Sequence, residues 1–342
     1  MTYPTFPENC TSMLCKHLTP ELFEQLKDKK TANGFTLEKA IKSGIENVDS
    51  EIGVYAGDEE SYEVFAELFD KVIEEYHQFS STDVHESNLK AEDLNLRNLD
   101  TSYILSTRIR IGRNIKDMPL GASISKEQRD EIEKDVSSVL NGFEGELAGA
   151  YHPLLEMSQE VQLQLIEDHF LFKDGDRFLE SSGLARHWPH GRGIYHNHDK
   201  TFLVWLNEED QLRIISMQQG GDVVEVFSRL VTAMKEIEAK VPFAYSERLG
   251  YISSCPTNLG TAMRASVHIK LPNLANDMEQ FKAIADKYYL QIRGTDGEHS
   301  QSKGGVFDIS NYRRLGITEV EAVQDMIDGV IALVDAEKSL EA

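Results

Sequence analysis

The two ends of the chain carry different hydrophobic patterns. Tyr62, Phe65, Phe69, Val72, Ile73 and Tyr76 recur every three or four residues, the spacing that lines one face of an α-helix. Thr19-Pro20 reads as an N-cap followed by proline at the first helical position, where the missing N–H costs nothing. Residues 1 to about 80 are therefore expected to be helical. Ser81 to Asp100 is polar and lacks a strong period, so it reads as a long connection. Beyond it come short β-branched runs at Tyr103–Leu105, Phe202–Leu206, Leu212–Ile215, Ser266–Leu271 and Val306–Ile309. Only Asn207 to Gln211 separate the strands at 202–206 and 212–217, too few residues for a crossover helix, which predicts an antiparallel hairpin. Ser125-Lys126-Glu127-Gln128 and Thr318-Glu319-Val320-Glu321 are capping-box patterns that open amphipathic helices among these strands. The expected organisation is a helical N-terminal domain (1–82), a linker (83–99) and an α+β domain (100–342).

At 342 residues the chain exceeds what one hydrophobic core usually organises, which supports two domains of unequal size. Lys and Arg total 35 against 58 Asp and Glu, and a net charge of −23 opposes binding to nucleic acid or to anionic membranes. The N-terminus has neither a basic nor an apolar leader pattern, and no apolar run nears the ~20 residues of a membrane helix. A cytoplasmic protein is expected. Three cysteines, Cys10, Cys15 and Cys255, are too few and too unevenly spaced for a disulfide framework, which suggests a reducing compartment.

The chain has no G-x-x-x-x-G-K-[ST], no G-x-G-x-x-G after a strand, no H-R-D or D-F-G, no H-E-x-x-H and no C-x-x-C. If it binds ATP, side-chain charges must hold the phosphates. Ser106-Thr107-Arg108-Ile109-Arg110 puts two guanidinium groups at i and i+2 of a strand, hence on one face of a sheet. Alone, this also fits a solvated strand face. Arg213 after the hairpin, Arg264 before a strand and Arg293 at the end of Tyr289–Ile292 bring the set to five, all at strand ends in an acidic protein. Arginine suits phosphate because its planar fork binds two oxygens and keeps its charge.

Asn207-Glu208-Glu209-Asp210 fits a solvated acidic turn, and equally a set of carboxylates that grips a planar cation and reaches Mg²⁺ through water. Cys255 lies in the proline- and glycine-bounded loop Ser254 to Thr261, just before Arg264. A lone cysteine is most often a small buried hydrophobe. Beside a cationic substrate or the arginines, its thiolate would be favoured and would orient a guanidinium without forming a covalent bond.

The cysteine segment, running on through Arg264-Ala265-Ser266-Val267-His268-Ile269-Lys270-Leu271-Pro272, resembles the signature of phosphagen kinases, the ATP:guanido phosphotransferases. Ser106 to Arg110, Asn207 to Asp210 and Arg293-Gly294-Thr295-Asp296-Gly297-Glu298-His299 resemble the family's other motifs in the same order. The resemblance implies a small all-helical N-terminal domain packed on a larger domain whose antiparallel β-sheet is flanked by helices. It also implies reversible, Mg²⁺-dependent transfer of the γ-phosphoryl group between ATP and a guanidino nitrogen. By motif, Arg108, Arg110, Arg213, Arg264 and Arg293 would clamp the nucleotide, together with Ser106, Thr107, Ile109, Ala265, Ser266, Val267, His268, Asp308 and the segment Gly294 to Glu298. His169 would contact adenine, although alone it reads as a packing histidine. Glu209 and Glu298 would grip the guanidinium, Cys255 would touch a third side of it, and Glu208 with Asp210 would support magnesium through water. Gly294 to Gly305 would form a lid that orders over the substrate.

Asp49-Ser50-Glu51-Ile52-Gly53-Val54-Tyr55 resembles the family's substrate-specificity loop in its arginine-type form, Tyr76 matches an arginine-type position, and Asp49 with Arg177 matches a pair that ties the domains together. By periodicity alone Tyr76 is a core residue. L-arginine is thus the implied substrate, with taurocyamine or another guanidino acid as the alternative and an inactive nucleotide-binding module as the reading from another class. Glu51 stands where the family carries glycine, Gln211 where it carries histidine, and Asp296 where it carries arginine. Relatives of this kind are monomers or homodimers, and the sequence does not choose between them.

Overall fold

The computed structural model describes residues 1–95, 99–294 and 304–341. The N-terminal part is helical, as the periodicity requires, in five short pieces: Met13–His17, Pro20–Leu26, Leu37–Glu46, Ser61–Val64 and Ala66–His77. Thr19 caps the second piece by accepting a hydrogen bond from the Leu22 N–H, with Pro20 in the first turn. Leu14, Phe23, Ile41, Phe65, Phe69 and Val72 form its core, and that core continues into Leu249, Ile252, Cys255 and Leu315 of the second domain. The helical domain therefore packs on the wall that carries the cysteine. The turn before the first helix brings Cys10 beside Cys15, with their Cα atoms 6.4 Å apart, while Cys255 is free and buried, so the three cysteines form no disulfide framework.

The second domain is built on the strands Ile104–Arg113 (β1), Gly149–Pro153 (β2), Gly193–Asn197 (β3), Phe202–Leu206 (β4), Leu212–Gln219 (β5), Tyr245–Ser246 (β6), Gly250–Tyr251 (β7), Met263–Lys270 (β8), Leu290–Arg293 (β9) and Val306–Asn311 (β10). Eight of them form one antiparallel sheet in the order β2-β3-β4-β5-β1-β8-β10-β9, and β6 pairs with β7 separately. The expected hairpin is β4–β5. Helices Lys126–Leu140, Val223–Glu238, Met278–Lys287 and Glu319–Glu341 supply Ile132, Phe227, Phe281 and Val330 to a core shared with Ile109, Ile214, Val267 and Ile309 of the sheet. Both capping boxes are made, at Ser125/Gln128 and at Thr318/Glu321. The linker is pinned to the last helix: Ser87 Oγ and Asn88 N–H both donate to the buried carboxylate of Glu319, and Asn95 N–H donates to Gln324.

Candidate active site

Strand alternation sorts the motif residues onto two faces. Thr107, Ile109, Ala265 and Val267 are buried on the helix-covered face, so their side chains face away from the cleft. Ser106, Arg108 and Arg110 of β1 and Arg264, Ser266 and His268 of β8 face the other way and line a cleft of about 580 Å³. Register places Arg110 beside Arg264, Ser106 beside His268, His268 beside Asp308, and Asp308 beside Arg293. Asp308, Arg293, Gly294 and His169 also line it, as do Lys173, Asp199 and Lys200, which the motifs did not single out. Arg213 and Arg264, expected at strand ends, are the second residues of β5 and β8. Arg213 lines an adjoining cavity with Arg108, Arg110, Glu208 and Trp205. Sequence reasoning also passed over Trp205: its ring lies 5.8 Å from the Arg108 guanidinium and 5.5 Å from that of Arg213, a stacking floor for both.

These arginines stand close enough to repel. Burial, with the charges of Arg213 and Arg264, pulls Arg108 down to about 10, and the same causes pull Arg110 well below the usual arginine range. Both remain cations at neutral pH, and an anionic ligand would relieve the repulsion. Arg264 donates to Asp308 at 2.7 Å and to Ser310 at 3.0 Å. Burial alone would raise Asp308, but the His268 hydrogen bond and the Arg264 and Arg110 charges hold it below the ordinary carboxylate range.

Asn207, in the left-handed region at φ 55°, starts the acidic turn, which its N–H closes onto the Gln211 carbonyl at 2.8 Å. Arg213 pairs with Glu208 at 3.1 Å and with Glu209 at 2.9 Å. Burial pushes Glu209 up to about 7; Arg213 opposes the rise, while Asp210 and Glu208 add to it. Asp210 turns inward and is buried. Gln211 is also buried, accepting from Ile115 N–H and donating to the Pro119 carbonyl.

Cys255 is buried with its sulfur 3.0 Å from the Thr257 hydroxyl. Its thiolate is not favoured in this state: burial and the nearby Glu209 push the thiol up to about 12. The expectation of a favoured thiolate applies with a cation beside the sulfur; without one, Glu209 adds to the effect of burial, and a cationic guanidinium entering there would act in the opposite direction. Burial and those same two residues raise Tyr55, which places the specificity loop within electrostatic reach of both.

In that loop Ser50, Ile52, Gly53, Val54 and Tyr55 are buried and Glu51 is exposed. The loop is held by its carbonyls, as Met13 N–H donates to Glu51 O and Leu14 N–H to Ile52 O. The N–H groups of Ile52, Gly53 and Val54 donate to nothing among the described residues. Glu51 and half-buried Tyr76 line a second cavity of about 660 Å³ between the domains. Ala56 N–H donates to the Ser254 carbonyl at 2.7 Å and Arg177 pairs with Asp49 through both guanidinium nitrogens at 2.9 and 2.6 Å, so each domain holds the other at the site. Thr295, Asp296, Gly297, Glu298 and His299, with most of the expected lid, lie outside the described residues.

Residues 8–74 match the N-terminal domain of ATP:guanido phosphotransferases and residues 131–340 their C-terminal catalytic domain. An arginine kinase of Penaeus vannamei is 53% identical over 335 residues, which is 97% of this chain and 94% of that protein. An arginine kinase of Plodia interpunctella is 54% identical over 332 residues, 96% and 94% of the two chains. Among solved structures, a lombricine kinase superposes with a TM-score of 0.95 at 42% identity, covering 99% of this chain and 95% of that one. The duplicated taurocyamine kinase of Schistosoma mansoni gives 0.90 at 41% identity, covering 96% of this chain and 46% of its own. Since both domain models match in chain order and relatives this similar run alongside nearly its whole length, the chain belongs to the ATP:guanido phosphotransferase family.

Proposed function

We propose that this chain transfers the γ-phosphoryl group of ATP reversibly to the guanidino nitrogen of L-arginine, giving phosphoarginine and ADP, as a cytoplasmic buffer of ATP. In this reading residues 1–82 supply the specificity loop and residues 100–342 the phosphotransfer machinery. The observation that carries it is the junction of an arginine-lined cleft with a buried acidic turn through Arg213, which borders both. Arg108, Arg110, Arg213, Arg264 and Arg293 would hold the nucleotide phosphates and offset the charge of the transferring group, commonly the largest catalytic contribution. Glu209 would grip the guanidinium. As the nitrogen attacks the γ-phosphorus and the bond to the ADP oxygen breaks, a guanidino proton passes to a carboxylate. A group poised at about 7 is suited to accept it near neutral pH. Cys255 and Glu298 keep the supporting contacts assigned to them by motif. Aligning two reactants this way can remove roughly 7–11 kcal/mol of barrier.

Magnesium fits as an ion carried by the nucleotide. Among the described residues no group of three His, Cys, Asp or Glu side chains could hold a metal, whereas Glu208, which lines a cavity with Arg108, Arg110 and Arg213, would accept hydrogen bonds from water carried by such an ion. When bound, the ion would neutralise phosphate charge that the arginines leave uncompensated.

Arginine as the acceptor is supported by the unengaged N–H groups of Ile52, Gly53 and Val54, which suit an α-carboxylate, and by the identity to proteins named arginine kinases. The test is turnover of Mg-ATP with L-arginine, taurocyamine, lombricine, creatine and glycocyamine, following ADP and the acid-labile product. Preference for another guanidine would discard arginine, and turnover of none would discard the activity.

A further inference from the structure

The specificity loop joins two parts of the site. At one end the Ala56 N–H is bonded to Ser254, beside Cys255, and at the other Glu51 lines the cavity between the domains. Three successive carbonyls of the loop point to the helices that cover it: Glu51 O accepts from Met13 N–H at 2.9 Å, Ile52 O from Leu14 N–H at 3.0 Å and Gly53 O from Gly44 N–H at 3.2 Å. In a trans peptide the C=O and N–H point in opposite directions, so the N–H groups of Ile52, Gly53 and Val54 are aimed away from those helices. Glu51, immediately before them, is exposed.

Among the described residues the charges lining that cavity are mostly acidic, Glu51, Glu75 and Asp83 against Arg313. Glu75 pairs with Lys16 and Arg313 with Asp325, partners that lie outside the lining. Burial pulls His77, also in the lining, down to about 4, so its ring adds no positive charge at neutral pH. His77 Nε2 donates to the Pro256 carbonyl at 2.8 Å, so the same wall reaches the residue after Cys255. A carboxylate next to outward N–H groups matches an α-amino acid, whose α-carbon carries an ammonium and a carboxylate side by side. Taurocyamine, creatine and glycocyamine carry an acid group but no α-ammonium.

We propose that Glu51 holds the α-ammonium group of the substrate while the N–H groups of Ile52, Gly53 and Val54 hold its α-carboxylate, which selects an α-amino acid over a plain guanidino acid. The inference rests on the guanidino-kinase reading above and deepens it. A negative charge at Glu51 attracts an ammonium and repels a lone carboxylate, so it acts on the two substrate classes in opposite directions. Because Glu51 is exposed, the expected preference is about fivefold, the upper end for an exposed ion pair, and it weakens with salt.

The experiment uses the full chain and the variants Glu51→Gln and Glu51→Lys, with L-arginine and 5-guanidinopentanoate, which keeps the carboxylate and lacks only the ammonium. Turnover of Mg-ATP with L-arginine by the parent tests the activity; the ratio of calorimetric affinities for the two ligands, which needs no turnover, tests Glu51. The parent is expected to bind L-arginine about fivefold more tightly. In Glu51→Gln the ratio should close toward one, with L-arginine bound more weakly, 5-guanidinopentanoate equally or more tightly, and ADP as in the parent. Glu51→Lys should invert the ratio. A loop that is merely disturbed weakens both ligands together, so only a charge acting on the ammonium moves them apart. A ratio unchanged between the parent and Glu51→Gln, or a parent that binds the two ligands equally or binds neither, overturns the proposal.

Discussion

Glu209 is held where burial and charge conflict, and replacing it with glutamine should show both sides of that conflict. Its side chain is 19% exposed and its carboxyl stands at about 7, against 4.5 for an ordinary glutamate. Between those values the folded protein keeps a proton that the unfolded chain has released. The stability linked to this group is therefore complete below about pH 4.5 and is lost as pH rises through about 7. At about 1.4 kcal/mol for each pH unit of that window, the loss comes to about 3 kcal/mol by pH 8. Glu209→Gln removes the titration and leaves Arg213 paired with Glu208. Urea denaturation of both proteins should give nearly equal midpoints at pH 4.5, whereas at pH 8 the variant should be the more stable, by about 2–3 kcal/mol. Turnover should fall by about 10²–10⁴, the usual contribution of a general base. A stability difference that does not widen from pH 4.5 to 8, or a variant with full turnover, would refute the reasoning.

Gly53 sits at φ 76°, and an added Cβ would lie 2.9 Å from Leu14 Cβ and 3.1 Å from Gly44 Cα. Gly53→Ala should cost about 1–3 kcal/mol in thermal unfolding and raise KM for arginine more than KM for ATP, because the loop backbone must shift. Arg108→Ala should weaken ADP binding in calorimetry by about 1.5–3 kcal/mol, the worth of a charged hydrogen bond, and leave KM for arginine nearly unchanged. Arg177→Ala breaks a pair exposed on both sides. It should leave the melting temperature within experimental scatter and act instead on KM for arginine, an effect that high salt applied to the parent should reproduce.

How much of the site could be read in advance depended on how local each cause was. Ser106, Arg108 and Arg110 were legible because side chains in a strand alternate, and the structure seats all three in the cleft. The β4–β5 hairpin was legible from a five-residue connection, and the capping boxes from spacing alone. The roles of Glu209, Cys255 and the specificity loop came instead from motif resemblance. Nothing in the order of residues announced Trp205 beneath the Arg108 guanidinium, or Asn114 and Ser253 on Asp210, since these partners are more than 40 residues away along the chain.

What the sequence determined by itself is the helical N-terminal part, the β4–β5 hairpin, the capping boxes and the shared face of Arg108 and Arg110, because backbone period and turn length act over a few residues. Charge state and accessibility were decided only by the tertiary structure. Cys255 neighbours Arg264 loosely in sequence, but in space it is buried and near Glu209, so burial first and then that carboxylate raise its thiol. Glu208, Glu209 and Asp210 are equivalent as a string of acids, yet strand pairing turns two toward Arg213 and one into the protein. Electrostatic energies depend on distance and burial across the fold, and neither quantity exists until the sheet and the helical domain have met.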